Sequence, residues 1–129
     1  MNYLLDASTF LWYVSAHTQL SGQAKSIIGN PVYNVHLSLS SIWELAIKFR
    51  IGKLELAPDP LSVLLDKHLA ANSFRLLEIK VSQLIRYAEL PLRHRDPFDG
   101  LLVAQSLVEN IPVITNDAAF DQYPIERIW

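Results

Sequence analysis

Two hydrophobic periods alternate along this chain. Residues 3–5 form a short apolar run that ends at Asp6, the pattern of a buried strand. Phe10, Leu11 and Val14 then follow helical spacing, and Ser21 to Ile28 predicts a second short helix stopped by Gly29-Asn30-Pro31. Val32 to Leu37 alternates and carries β-branched and aromatic residues, which predicts a strand. Ile42, Leu45, Ala46 and Phe49 lie at i, i+3, i+4 and i+7 of a helix. Ser41-Ile-Trp-Glu44 has the form of a capping box for it, and Gly52 a stop.

The second half continues the alternation. Asp59 as N-cap and Pro60 at the first position open a helix running to about Ala71. Phe74 to Ile79 reads as a strand and Val81 to Leu90 as a helix closed by Pro91. Asp96-Pro97 starts a helix, apolar nearly all round, that ends at Asn110. Val113 to Thr115 is a short strand, and Ile125 to Trp129 a last edge strand. This order predicts an α/β fold with a mainly parallel central sheet, in a single domain over residues 1–129. Trp12, Trp43 and Trp129 are expected in its core.

Composition narrows the chemistry. The 129 residues include no cysteine, which removes disulfides, thiolate metal sites and cysteine nucleophiles. No apolar run is long enough to span a membrane, and the N-terminus lacks the form of a signal peptide, so the expected location is the cytoplasm. The net charge of −2 hides an asymmetry. Residues 48–95 hold nine of the eleven Lys and Arg against five acids, and the rest holds two against eight. A polyanion would meet the basic middle and leave the acids for another task. Scattered surface charge reads the same way. Glycine-rich phosphate loops, a nucleophile elbow and histidine metal spacings are all missing.

Four acids stand where a parallel sheet would gather them. Asp6 and Asp117 follow strands, while Glu44 and Asp99 lie in first turns of helices. Strand carboxyl ends and the helix N-termini after them share one edge, where ligands bind in open α/β sheets. Clustered carboxylates repel unless a cation or shared protons intervene. All-oxygen donors suit Mg²⁺ or Mn²⁺, and such clusters activate water against phosphodiesters. Each acid also has a purely structural reading: Glu44 as a capping-box member or partner of Lys48, Asp99 as a dipole-favoured N3 residue, Asp6 and Asp117 as turn residues. Ser8 and Thr115 are candidates to hold the carboxylates, and Asn116 to ligate or to shape its turn. Lys48, Arg93, His94 and Arg95 are candidates to contact a nucleic-acid backbone.

These residues form a familiar series. Leu4-Leu-Asp6-Ala-Ser-Thr-Phe-Leu-Trp12 resembles the opening motif of PIN-domain nucleases, especially the VapC-type toxins of toxin–antitoxin pairs. Ser38-Leu-Ser-Ser-Ile-Trp-Glu-Leu-Ala-Ile-Lys48 resembles the second motif, His94-Arg-Asp-Pro-Phe-Asp99 the third, and Val113-Ile-Thr-Asn-Asp117 the last. The resemblance implies a parallel sheet flanked by helices. It implies a metal-dependent endoribonuclease with Asp6, Glu44, Asp99 and Asp117 as the acids that bind Mg²⁺ or Mn²⁺. It also implies an RNA substrate, often tRNA, a homodimer, and a cognate antitoxin protein. One position departs: Gly100 stands where close relatives often carry arginine, which weakens the helix by about 1 kcal/mol relative to alanine and leaves open an inactive PIN-like module that only binds RNA or a partner. An aspartyl-phosphate phosphatase would need an acid at position 8, which is serine, and the paired early acids of a receiver domain are missing.

Overall fold

The computed structural model describes residues 1–53, 59–70, 74–93 and 96–129. Its sheet has five parallel strands: β1 (Asn2–Leu5), β2 (Asn34–Ser38), β3 (Arg75–Leu77), β4 (Val113–Ile114) and β5 (Arg127–Ile128), ordered β3-β2-β1-β4-β5. The central strand β1 pairs with β2 from Asn2 opposite Asn34 to Leu5 opposite Leu37, and with β4 at Leu4–Val113 and Leu5–Ile114. The chain thus runs outward from β1 to β3 and then returns across it to β4. That reversal opens a crevice beside β1 at the strands' carboxyl ends.

Side-chain alternation divides the core between the two faces of the sheet. Tyr3, Leu5, Val35, Leu37 and Ile114 pack with helices α1 (Ala7–Val14), α2 (Gly22–Gly29), α3 (Leu39–Arg50) and α4 (Leu61–Leu65). Leu4 and Val113 point the other way, against Leu102 and Val103 of α6 (Pro97–Glu109) and against Phe120 and Tyr123. Helix α5 (Val81–Glu89) packs beside α6. Full burial of Phe10, Leu4, Leu5 and Leu37 contributes about 1.5–3 kcal/mol each, which ties β1 firmly to both layers.

Helix boundaries follow local capping chemistry with two corrections. Helix α6 starts as expected: Asp96 is the N-cap and accepts from the Phe98 and Asp99 N–H groups, and Pro97 occupies the first position. Asn110 ends it in the left-handed conformation that asparagine tolerates. Helix α3 begins at Leu39, three residues before the start expected from Ser41 as N-cap, so Glu44 lies in its second turn and not its first. Ser38, at the buried end of β2, is its cap and accepts from Ser40 N–H, so Ser41 and Glu44 form no capping box. Helix α4 begins after Pro60, with Pro60 and not Asp59 at the cap position; it covers Leu61–Leu65 and passes into a π turn over Asp66–Ala70. The expected end of that helix at Ala71 lies outside the described residues.

Candidate functional site

Sheet order places Asp6 and Asp117 side by side, because β1 and β4 are neighbours and each acid follows its strand. Asp6 is only 8% exposed and caps α1. Its Oδ1 accepts from Thr9 N–H at 2.8 Å and its Oδ2 from Thr115 Oγ1 at 2.6 Å. The Thr115 hydroxyl also accepts from Asp117 N–H at 3.1 Å, so one side chain at the end of β4 ties both acids together. Asp117 caps a 3₁₀ turn over Ala118–Gln122 and accepts from Ala119 N–H.

Helices α3 and α6 bring the remaining acids to the same place. A cleft of about 460 Å³ is lined by Asp6, Glu44, Asp96, Asp99 and Asp117, with Ala7, Ser8, Asn116 and Ala118. All four acids expected from the sequence therefore face one cavity, with Ser8 and Asn116 on its wall. Asp96 is a fifth, hidden in the sequence by its capping role. Thr9 was also missed, because its contribution to Asp6 is a backbone N–H that no side-chain motif records. The expected cations are placed differently. Lys48 pairs with Glu44 at 3.0 Å across one helical turn. Arg93 is exposed between α5 and α6, and His94 and Arg95 lie outside the described residues.

Electrostatics mark this cleft as a place that disfavours negative charge, through burial first and like-charge repulsion second. Burial raises the Asp6 carboxyl above its ordinary value, against the lowering hydrogen bonds from Thr115 and Thr9. Asp99 is pushed from 3.8 up to about 7, first by burial and then by the charges of Asp96, Asp6, Glu44 and Asp117. A carboxyl so placed either keeps its proton or meets a cation. The donor set, all hard oxygen, fits Mg²⁺ or Mn²⁺. No three Asp, Glu or His side chains among the described residues already stand as a set that could hold an ion. The acids ring an open cavity and do not form a closed coordination shell.

Two further positions correct expectation. Trp43 is 62% exposed and not in the core; it meets Phe98 edge-on with ring centroids 5.2 Å apart. Trp12 and Trp129 are half-buried and pack on each other. Gly100 has a steric reason: a Cβ there would lie 2.5 Å from Cε2 of Tyr87, whose ring covers the first turn of α6. The space that a side chain at 100 would need is occupied by a tyrosine from the neighbouring helix.

Known proteins match this architecture. The PIN domain family model matches residues 3–126. VapBC2 from Rickettsia felis, solved bound to a DNA fragment from its promoter, is similar over 100% of this chain and 99% of that chain, at 17% identity and a TM-score of 0.72. FitAcB from Neisseria gonorrhoeae is similar over 98% of this chain and 96% of that chain, at 18% identity and a TM-score of 0.68. VapBC-5 from Mycobacterium tuberculosis, a member of the VapBC family of toxin-antitoxin systems, is similar over 98% and 97% at 20% identity and a TM-score of 0.61. At these identities the likeness shows the fold, and no curated protein sequence matches. With the family model covering all but five of the 129 residues, the chain belongs to the PIN-domain family.

Proposed function

We propose that the chain is a Mg²⁺- or Mn²⁺-dependent endoribonuclease acting in the cytoplasm as the toxin of a toxin–antitoxin pair. The observation that carries the reading is the convergence of five carboxylates on one cleft, with Asp99 raised to about 7. Asp6, Glu44, Asp99 and Asp117 are the residues that would hold the ion. A bound divalent cation supplies activation of water and neutralisation of charge on the phosphoryl and leaving oxygens.

The chain's own residues prepare that chemistry. Thr9 and Thr115 fix both oxygens of Asp6. Glu44 is presented from α3 with Lys48 beside it to moderate its charge. Asp99 holds a proton at its carboxyl at low pH and gives it up near neutrality, so the metal-free protein should take up a divalent cation more tightly as pH rises through about 7. The likeness to VapBC-5, a member of the VapBC family of toxin-antitoxin systems, supports an antitoxin as the cognate partner. A homodimer and an RNA target such as tRNA belong to the same reading. The inactive-module alternative drew only on Gly100, and Tyr87 gives that residue a packing reason while the acids stay in place.

Incubation of the antitoxin-free protein with total cellular RNA tests this. Discrete cleavage with Mg²⁺ or Mn²⁺, abolished by EDTA and reduced at least about a hundredfold in Asp99→Asn, is the expected result. Equal cleavage by folded, metal-free-purified Asp99→Asn contradicts it.

A further inference from the structure

We propose that Arg127 is a positioning residue whose guanidinium clamps the turn carrying Asp117 and so holds that carboxylate, with Thr115 beneath it, at the acid-lined cleft. The only cation after residue 95, Arg127 sits in the acidic C-terminal part of the chain on the two-residue edge strand β5. Three hydrogen bonds leave its guanidinium. Nε and Nη2 donate to Oδ1 and Oδ2 of Asp121 at 2.9 and 3.0 Å, a bidentate fork. Nη1 donates to the Thr115 carbonyl at 3.2 Å. Thr115 lies two residues before Asp117 and Asp121 four residues after it. One rigid planar group therefore grips both ends of the turn.

The clamp reaches the cleft through bonds already described. Thr115 places its hydroxyl between Asp6 Oδ2 and Asp117 N–H, and Asp121 belongs to the 3₁₀ turn that Asp117 caps. Other anchors act on the middle of the turn and on the strands, with Phe120 N–H donating to Asp117, the Phe120 ring buried in the core, and the Val113 and Thr115 N–H groups donating to Glu126 and Ile128. The guanidinium adds the side-chain link between the turn's two ends. Lysine in place of Arg127 would keep the charge but lose the fork. The opposing account is an ordinary surface ion pair, since the Asp121 side chain is 53% exposed, and such pairs are worth little. Against it stand the bidentate geometry, the third bond to a carbonyl of a buried residue, and an Arg127 side chain only 23% exposed. Asp117 adds to the field that favours the guanidinium's charged form, after the larger contribution of Asp121.

The test uses the whole chain, free of metal, as wild type, Arg127→Gln, Arg127→Lys and Asp121→Asn. Amide hydrogen exchange is followed at Asp117 and Ala119, whose N–H groups are bonded within the turn. The clamp predicts exchange at least about tenfold faster in all three variants, with α3 and α6 amides unchanged. The second readout is binding of Mn²⁺ alone and rests on the cation-site reading above. Removing a positive charge near carboxylates would by charge alone tighten Mn²⁺ binding; a positioning role predicts about tenfold weaker binding in Arg127→Gln instead. Turn amides within about twofold of wild type in the variants, or tighter Mn²⁺ binding in Arg127→Gln, overturns the inference. If wild type binds no Mn²⁺, the cation-site reading fails and exchange alone decides the clamp. Asp121→Asn alters a half-exposed side chain, so it keeps the test open should Arg127→Gln not fold.

Discussion

The carboxyl edge of the sheet buries polar side chains in two places that solve the same problem in opposite ways. On the β2–β3 side the groups are neutral. Ser38 Oγ donates to Gln105 Oε1 at 2.6 Å, and Gln105 Nε2 donates to Gln83 Oε1 at 3.0 Å. Gln83 Oε1 also accepts from Lys80 N–H, and Gln83 Nε2 reaches Glu109. Ser38, Gln83 and Gln105 are fully buried, and each finds donors and acceptors among the others. On the β1–β4 side the groups are carboxylates. Ionised, they only accept, so no arrangement among themselves satisfies them. An amide network completes itself and specifies the fold. The carboxylates draw donors from residues around them, Thr9 and Thr115 for Asp6 and Lys48 for Glu44, and keep a like-charge repulsion that a bound cation would relieve.

Replacing one member on each side breaks the symmetry. Gln105→Leu removes the shared partner of Ser38 and Gln83 and should destabilise the protein by about 2–3 kcal/mol, measured by denaturant unfolding, while RNA cleavage per folded molecule stays within a few fold. Asp99→Asn should do the reverse, abolishing cleavage while leaving the metal-free protein at pH 8 as stable as wild type or more so, because a charge disfavoured by burial is gone. If Gln105→Leu proves neutral in stability, the amide side is not the self-satisfied half described here.

A smaller effect sharpens the border between the two halves, where α5 meets α6. Gly100→Ala gains helix propensity but drives a Cβ into the Tyr87 ring. Because that ring is partly exposed and can swing outward, the net loss should be about 1 kcal/mol. In a Tyr87→Ala background the same change should become stabilising by up to about 1 kcal/mol. A double-mutant cycle in thermal unfolding reads the sign change. The same sign in both backgrounds would separate Gly100 from Tyr87.

What the sequence disclosed depends on how local each cause is. Helix α6 was legible at both ends because Asp96, Pro97 and Asn110 act within one turn of themselves. The acids at the sheet edge were legible because alternating strands and helices fix which ends share a side. The start of α3 was not. Ser38, Ser40 and Ser41 have equal local claim to the cap, and burial at the end of β2 selects Ser38. Trp43 was expected inside because its type favours burial; its helical position turns it outward beside Phe98. Asp96 as a cleft residue, the Tyr87 ring over Gly100 and the Arg127 fork are all tertiary contacts, with no trace in spacing or composition. Arg127 left one signal, a lone cation in an acidic segment.

The most direct test of the central claim is thermal unfolding of the metal-free protein between about pH 5 and about pH 8, with and without Mn²⁺. Asp99 and Asp6 are both raised in the folded state, so their contribution is full at low pH and is lost as pH rises through the folded values, about 7 for Asp99. The lowered carboxyls, Glu109 and Asp121, lose their contribution only as pH falls, below this window. His36 and His68, lowered first by burial, lose theirs as pH falls within it, an opposing effect that Asp99→Asn keeps and the comparison of the two proteins therefore cancels. The account predicts a Tm that declines toward pH 8, is restored there by Mn²⁺, and shows a weaker decline and little Mn²⁺ response in Asp99→Asn. A wild-type Tm indifferent to Mn²⁺ at pH 8, or an equal response in both proteins, would contradict a cation-holding site at Asp99.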